Sequence, residues 1–123
     1  MFKFKEVFTE EERINEFQKV RKANPSKIPV IIEKDAKSKI NELGKTKFLF
    51  PEDVAVIKII ETIRKKIDLK ESEALFFLIN GKKVMSGPET LGDIYEKNKD
   101  KDGFLYIMYA GEDVWGYDSL FKI

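Results

Sequence analysis

Reactive side chains are scarce in this sequence, and that scarcity limits the chemistry open to it. The 123 residues contain no Cys and no His, so the usual nucleophile, the usual near-neutral base and the nitrogen and sulfur ligands of zinc are missing. Carboxylates remain, but no spacing marks a catalytic pair. The sequence therefore favours a protein that is not an enzyme, with no metal site and no cofactor.

Gly116 is the candidate reactive position. It follows Trp115 and precedes a short tail, residues 117–123, and a turn residue, Gly111, separates it from the alternating apolar run that ends at Tyr109. This pattern fits a cleavable C-terminus whose working end is Gly116. A plain turn glycine is the alternative, since Gly-Tyr-Asp is acceptable turn material.

Composition limits the partners of the chain. Lys and Arg number 23 against 22 Asp and Glu, for a formal net charge of +1, so no overall field attracts nucleic acid or an anionic membrane. The length suits one domain. The charged N-terminus does not resemble a signal peptide, which together with the lack of Cys favours the cytosol. The longest apolar runs are too short to span a bilayer, so a membrane role needs an attached anchor.

Three helices are predicted from capping signals and apolar spacing. Thr9 and Glu12 can form a capping box at the start of a helix over Glu10–Ala23, which ends before a proline. A second helix is predicted to start near Val54, and a third to cover Thr90–Asn98.

Strands are predicted where apolar and β-branched residues are concentrated. Ile28–Glu33 is typical of a strand covered on both faces, with Pro29 near its start or at an edge. The dipeptide Asn80-Gly81 predicts a hairpin turn. The other predicted strands are Lys47–Pro51, which resembles an edge strand, Leu75–Ile79, a short one within Lys82–Met85, and Phe104–Tyr109.

The order of these elements predicts an α+β fold. After the first helix it reads β-β-α-β-β, with the helix Thr90–Asn98 as an insertion, which is the order of a β-grasp. In a β-grasp the last strand lies between the first and the third, so the C-terminal residues leave from the middle of the sheet.

Several ordered blocks of the chain carry a family resemblance. They are Ile28–Lys34, Lys47–Asp53, Ile63–Ile67, Lys99–Tyr106, Tyr109–Glu112 and the aromatic-glycine pair Trp115-Gly116. Together they resemble the autophagy ubiquitin-like modifiers, a family that includes the microtubule-associated-protein light chains and the GABA-receptor-associated proteins. At the position of Trp115 that family usually has Phe. The resemblance implies a ubiquitin-like β-grasp over residues 25–116, an N-terminal helical extension over residues 1–24 and a pro-segment, residues 117–123, removed on processing.

The resemblance also implies a function without catalysis. A processing cysteine protease would cut after Gly116, and activating and conjugating enzymes would pass the new carboxylate to the amine of phosphatidylethanolamine during autophagosome formation. The protein is then expected in the cytoplasm before conjugation and on the autophagosome membrane after it. Two alternatives stay open: an unlipidated adaptor for trafficking or cytoskeletal proteins, and a modifier conjugated to protein lysines.

A peptide-binding edge is a further implication of the resemblance. Cargo receptors with a short aromatic-x-x-aliphatic motif would bind as an added strand beside Lys45–Leu49. The aromatic pocket would be formed by Glu16, Val20, Pro29, Ile31, Lys47, Leu49 and Phe104. The aliphatic pocket would be formed by Phe48, Phe50, Pro51, Val54, Ile59, Thr62 and Ile63. The lysines Lys27, Lys45 and Lys47 would meet acidic residues that flank the motif.

Core packing is the alternative interpretation for part of this set. It accounts for the aliphatic residues Val20, Ile31, Ile59 and Ile63. It accounts less well for Phe48 and Phe50, which strand alternation places together on one face. Thr62 stands where the family is more apolar, which predicts a more polar aliphatic pocket.

The tail contains a possible ligand for the same groove. Tyr117 to Leu120 has the aromatic-x-x-aliphatic pattern with an acidic residue inside, so an unprocessed tail could occupy the groove of a neighbouring molecule. Chance is the alternative, because four-residue patterns of this kind are common.

Overall fold

A computed structural model describes residues 2–85 and 87–114, so Gly116 and the tail lie outside the described residues. Within this range a five-stranded sheet carries helices on both faces. The helices are α1 (Lys3–Val7), α2 (Glu10–Ala23), α3 (Val56–Lys66) and α4 (Leu91–Asn98). The strands are β1 (Lys27–Lys34), β2 (Lys47–Pro51), β3 (Leu75–Ile79), β4 (Lys83–Val84) and β5 (Leu105–Gly111).

The sheet has the strand order β2-β1-β5-β3-β4. β5 runs parallel to β1 and antiparallel to β3, and both edge pairs are antiparallel. The predicted β-grasp is therefore confirmed, including the central place of the last strand and the edge position of β2. Because β1 and β5 are parallel, the chain leaves both strands at the same end of the sheet.

Local signals account for most element boundaries. The Thr9 hydroxyl accepts from the Glu12 amide while the Glu12 carboxylate accepts from the Thr9 amide, as the capping box predicts. The hairpin turn after β3 is confirmed by positive φ angles at Asn80 and Gly81, 55° and 73°.

Two boundaries differ from the prediction by two residues, each for a tertiary reason, and the other predicted boundaries agree within one residue. α3 begins at Val56 rather than near Val54, because Ala55 is extended and forms an isolated bridge with Thr90. β5 continues to Gly111, which pairs with Leu75 of β3. Gly111 is thus the last strand residue and not only a turn residue.

The main core lies between the sheet and the helices α3 and α4. Alternate residues of β5 face it, namely Leu105, Ile107 and Tyr109, and all three are 0% exposed. They belong to one buried cluster with apolar residues of both helices. Burial in this core raises the pKa of the Tyr109 hydroxyl above its ordinary value.

A second core lies on the opposite face, beneath α1 and α2. Phe2 and Phe4 are buried there against Tyr106 and Phe104. The Glu33 carboxylate of β1 accepts hydrogen bonds from the amides of Lys3 and Phe4, at 2.8 and 3.0 Å, and so holds the first turn of α1 on the sheet. The short helix α1 was not predicted from the sequence.

Asp102 joins this second layer to β5. Its carboxylate is 1% exposed and accepts from Arg13 Nε of α2 and from the Phe104 amide, both at 2.8 Å, and from the Tyr106 hydroxyl. Arg13 in turn donates to the Phe8 carbonyl at the end of α1, at 2.7 Å. A buried charge is tolerated only when its partners are in place, so these groups fix α1, α2 and the start of β5 together.

Replacing Asp102 with Asn is expected to lower the free energy of unfolding by about 3–5 kcal/mol, because the Arg13 guanidinium then stays buried without its counter-ion. Urea unfolding monitored by circular dichroism measures the change. The matched control is Asp53→Asn at an exposed position, with an expected change within about 0.5 kcal/mol. Equal stability of the two variants would contradict the structural role of Asp102.

Candidate functional site

The candidate site is the outer edge of the sheet, at β2. β2 pairs with β1 on one side, and on its other side no strand of the described residues is present. Its unpaired backbone groups can therefore accept an additional strand. Along β2 the register alternates, with Lys47 opposite Ile31, Phe48 opposite Val30 and Leu49 opposite Pro29, so Lys47 and Leu49 share the face that α2 covers.

On the α2 face, an ion pair connects helix and strand. Lys47 Nζ lies 2.8 Å from Glu16 Oε2. Ile31 and Phe104 beneath it are 0% and 1% exposed, whereas Leu49 is 37% exposed. Val20 is half-buried one turn along α2 from Glu16, and Pro29 is buried in β1. The predicted aromatic-pocket residues therefore divide into a buried floor and an accessible rim.

A groove of about 470 Å³ opens beside this rim. Two predicted pocket residues, Glu16 and Lys47, line it. Its remaining lining residues were not predicted, and they are Phe4, Phe8, Glu12, Asn15, Lys19 and Thr46. The signal that could have found the first two is the spacing of four between Phe4 and Phe8, which matches one face of a helix.

On the opposite face of β2, the predicted aliphatic pocket merges with the main core. Phe48 is 5% exposed and belongs to that core, as do Ile59 and Ile63, while Phe50 and Val54 pack against it. Core packing thus accounts fully for Phe48. The interpretation from the sequence that core packing accounts less well for Phe48 is wrong. The reason is that Lys47 and Leu49 lie on the face of β2 toward α2, which places Phe48 and Phe50 on the face toward α3 and α4.

The accessible part of this second face is smaller than the predicted set. Phe48 and Phe50 stack with ring centroids 5.9 Å apart. Pro51 and Thr62 are exposed, and Phe50 is half-buried. The Thr62 hydroxyl donates to the Lys58 carbonyl at 2.8 Å, so its polarity is already satisfied within α3.

The predicted rim lysines have different surroundings. Lys45 Nζ lies 4.6 Å from the centroid of the Phe48 ring, a cation–π geometry. Lys47 already has an acidic partner in Glu16. Lys27 is exposed at the start of β1. An acidic group that flanks a bound peptide therefore has to compete for Lys47, whereas the charge of Lys27 has no acidic partner within 4.0 Å in the described part of the chain.

The Glu16–Lys47 pair gives the site a pH dependence. The hydrogen bond from Lys47 holds the pKa of the Glu16 carboxyl below its usual range. Because this pKa is lower in the folded state than in the unfolded state, the pair contributes stability above the unfolded pKa. That contribution is lost as the pH falls through the folded pKa.

In Lys47→Met, the pKa of Glu16 is expected to rise toward the ordinary range of a glutamate, because the hydrogen bond that lowers it is lost. NMR titration of the Glu16 side-chain carboxyl carbon measures it. Lys45→Met removes the neighbouring charge but leaves the pair intact, and is expected to leave the pKa of Glu16 unchanged. The same upward shift in both variants would show that the hydrogen bond is not its cause.

Comparison with known proteins gives consistent results for sequence and fold. A family model described as "Autophagy protein Atg8 ubiquitin like" matches residues 12–116. Among solved structures the chain is similar to that of Trypanosoma brucei ATG8, at 40% sequence identity and a TM-score of 0.84, over 91% of this chain and 96% of that chain. The chain therefore belongs to the Atg8 family of ubiquitin-like autophagy proteins.

Proposed function

We propose that this protein is a ubiquitin-like modifier that is cleaved after Gly116, conjugated to phosphatidylethanolamine, and used to recruit proteins with aromatic-x-x-aliphatic motifs in autophagosome formation and selective autophagy. Family membership supports the autophagy role in general. The observation that carries the recruitment function is the unpaired edge of β2, which has a different side-chain surface on each face of the sheet.

The spacing of the motif matches the geometry of this edge. Side chains alternate between the two faces along a strand, so residues three apart point to opposite faces. In a peptide added beside β2, the aromatic side chain then lies on the α2 face and the aliphatic one on the α3 face. Spacings of two or four residues would place both side chains on the same face.

Binding of the aromatic side chain on the α2 face requires the accessible rim of the aromatic pocket to open. The Glu16–Lys47 pair joins α2 to β2 above the buried Ile31 and Phe104. Both partners of this ion pair are partly exposed, and such pairs typically contribute about 0.2–1 kcal/mol. Burial of an aromatic ring contributes about 1.5–3 kcal/mol, which outweighs the loss of the pair. Leu49 already exposes apolar surface beside the opening.

The aliphatic side chain of the motif has a largely preformed surface on the α3 face. Phe50 and Val54 are half-buried and continuous with the main core. Since the Thr62 hydroxyl is bonded within α3, this position is less polar toward a ligand than its residue type predicts. The stacked rings of Phe48 and Phe50 provide a rigid wall.

Gly116 acts as a substrate in this proposal. The chain has no Cys or His with which to process itself; in this proposal a cysteine protease and then activating and conjugating enzymes act on it. The family-model match ends at residue 116, which supports Gly116 as the end of the working domain. The proposed division is a helical extension over residues 1–24, a ubiquitin-like domain over residues 25–116 and a removable segment over residues 117–123.

The proposed lipid supplies the membrane attachment. In residues 2–85 and 87–114 no helix has the length and apolar character needed to cross a bilayer. Two acyl chains contribute about 0.8 kcal/mol per buried CH₂ group and anchor a protein stably. The protein is therefore proposed to be cytosolic before conjugation and bound to the autophagosome membrane afterwards.

A peptide with Trp and Leu separated by two residues is expected to bind the purified protein, and Leu49→Ala is expected to weaken binding about tenfold because it removes apolar surface at the rim. Isothermal titration calorimetry measures both affinities. Val84→Ala is the matched control, since Val84 is also an exposed aliphatic residue on an edge strand, β4, and it is expected to leave the affinity unchanged.

The same peptide with three intervening residues tests the strand geometry. Its affinity is expected to be about tenfold lower, because both anchors then lie on one face. Equal affinity for the two spacings, or equal weakening by Leu49→Ala and Val84→Ala, would rule out strand addition at β2.

Mass spectrometry of the protein isolated from starved cells is expected to show a chain that ends at Gly116 and carries a phosphatidylethanolamine adduct. Gly116→Ala should block both cleavage and the adduct, because the Cβ obstructs approach to the carbonyl. A chain that keeps Ile123 under these conditions would favour the unlipidated adaptor. A Gly116 linked to lysines of other proteins would favour the protein modifier.

A further inference from the structure

The turn that follows β5 is held in place by a side-chain contact to the loop after β1. The Val114 amide donates to the Gly111 carbonyl at 3.2 Å and closes the turn. Within it, the Asp113 carboxylate accepts from Ser38 Oγ at 2.8 Å and from the Lys39 amide at 2.6 Å. We call these two hydrogen bonds the Asp113 clamp.

Ser38 makes the clamp continuous with the sheet. It is 3% exposed, and its hydroxyl, while donating to Asp113, accepts from the Gly111 amide at 3.2 Å. A Cβ on Gly111 would lie 2.9 Å from Ile40 Cγ2 and 3.1 Å from Asp113 Oδ1. The loop therefore approaches the end of β5 as closely as a glycine permits.

A second contact holds the turn from the other side. Glu112 Oε1 accepts from the Ala74 amide, just before β3, at 3.2 Å. β1 and β3 are the two neighbours of β5, so the chain is fixed to the connections of both flanking strands before it leaves the sheet. The described chain thus ends in a defined direction at Val114.

The charge state of Asp113 suits this role. The hydrogen bonds from the Lys39 amide and from Ser38 hold the pKa of its carboxyl below its usual range. The carboxylate is therefore ionised at neutral pH and can accept both bonds. Lys39 and Lys34 are nearby basic residues on the β1 side, while Glu112 is the acidic neighbour on the turn itself.

The direction in which the chain leaves β5 at Val114 matters if an enzyme acts on the residues that follow. Two extended residues reach at most about 7 Å, so the direction at Val114 limits where an enzyme can meet Gly116. An enzyme that binds an ordered chain end avoids the free-energy cost of immobilising it. We propose that the Asp113 clamp is a positioning element that presents the Gly116–Tyr117 peptide bond to the processing protease.

This inference rests on the proposed cleavage after Gly116. In that step water adds across the peptide bond, which leaves a carboxylate on Gly116 and an amine on Tyr117. Asp113 and Ser38 take no part in the chemistry. They affect only the free energy of binding to the protease. Their substitution is therefore expected to change KM and not kcat.

The test uses the full-length protein and a purified autophagy cysteine protease that cleaves Atg8-family precursors, with release of the tail followed by mass spectrometry. Asp113→Asn and Ser38→Ala are each expected to raise KM about three- to tenfold and to leave kcat within about twofold. Asp68→Asn is the matched control, because Asp68 lines a groove of about 520 Å³ that Gly111, Glu112 and Asp113 also line. Its φ of 54° is one that Asn also adopts.

Hydrogen exchange and urea unfolding of the same variants separate positioning from folding. In Asp113→Asn, whose side chain is exposed, faster exchange at the Lys39 amide with an unchanged unfolding midpoint supports the clamp. Unchanged exchange, unchanged KM, or a fall in kcat that follows a loss of stability would each overturn the positioning role while cleavage after Gly116 still stands. No cleavage of the wild-type protein after Gly116 would overturn the proposed processing and this inference with it.

Discussion

The central strand β5 is bonded along both edges and apolar on both faces, and the rest of the fold depends on that constraint. All 7 of its residues are buried. Alternation sends Leu105, Ile107 and Tyr109 to one core and Tyr106 and Met108 to the other. A strand of this kind needs a helical layer on each side of the sheet. The layer of α1 and α2 is therefore a structural part of the fold, even though the chain reaches it before the β-grasp begins.

Carboxylates fix the parts of the molecule that apolar packing leaves undefined. Asp102 accepts from a backbone amide and a guanidinium at the start of β5, Glu33 accepts from two amides of α1, and Asp113 accepts from a loop amide at the end of β5. Apolar burial is not directional, whereas each of these hydrogen bonds requires a particular partner at a particular distance. The same interaction thus sets the position of the N-terminal helices and of the turn that follows β5.

The binding edge and the core share residues. Phe48, Ile59 and Ile63 belong to the main core, yet they also lie where the family resemblance implies pocket walls. The accessible surface at the edge comes instead from residues such as Leu49 and Pro51. Lys47 is the first residue of the unpaired strand and Lys45 precedes it, and charged residues of this kind protect an edge against uncontrolled pairing. The proposed peptide ligand would therefore have to match both faces of the strand.

The sequence by itself determined the elements whose signals are local. The capping box at Thr9 and Glu12 and the turn at Asn80-Gly81 depend on contacts within a few residues. The order of the elements predicted the fold, and the ordered sequence blocks predicted the family. Tertiary structure alone decided the rest. α1 has 5 residues, too few for a stable isolated helix, and it forms because Phe2 and Phe4 are buried and Glu33 binds its amides. The Asp113 clamp joins residues that are 75 positions apart, and no local pattern encodes a bond that exists only after the sheet has brought the ends of β1 and β5 together.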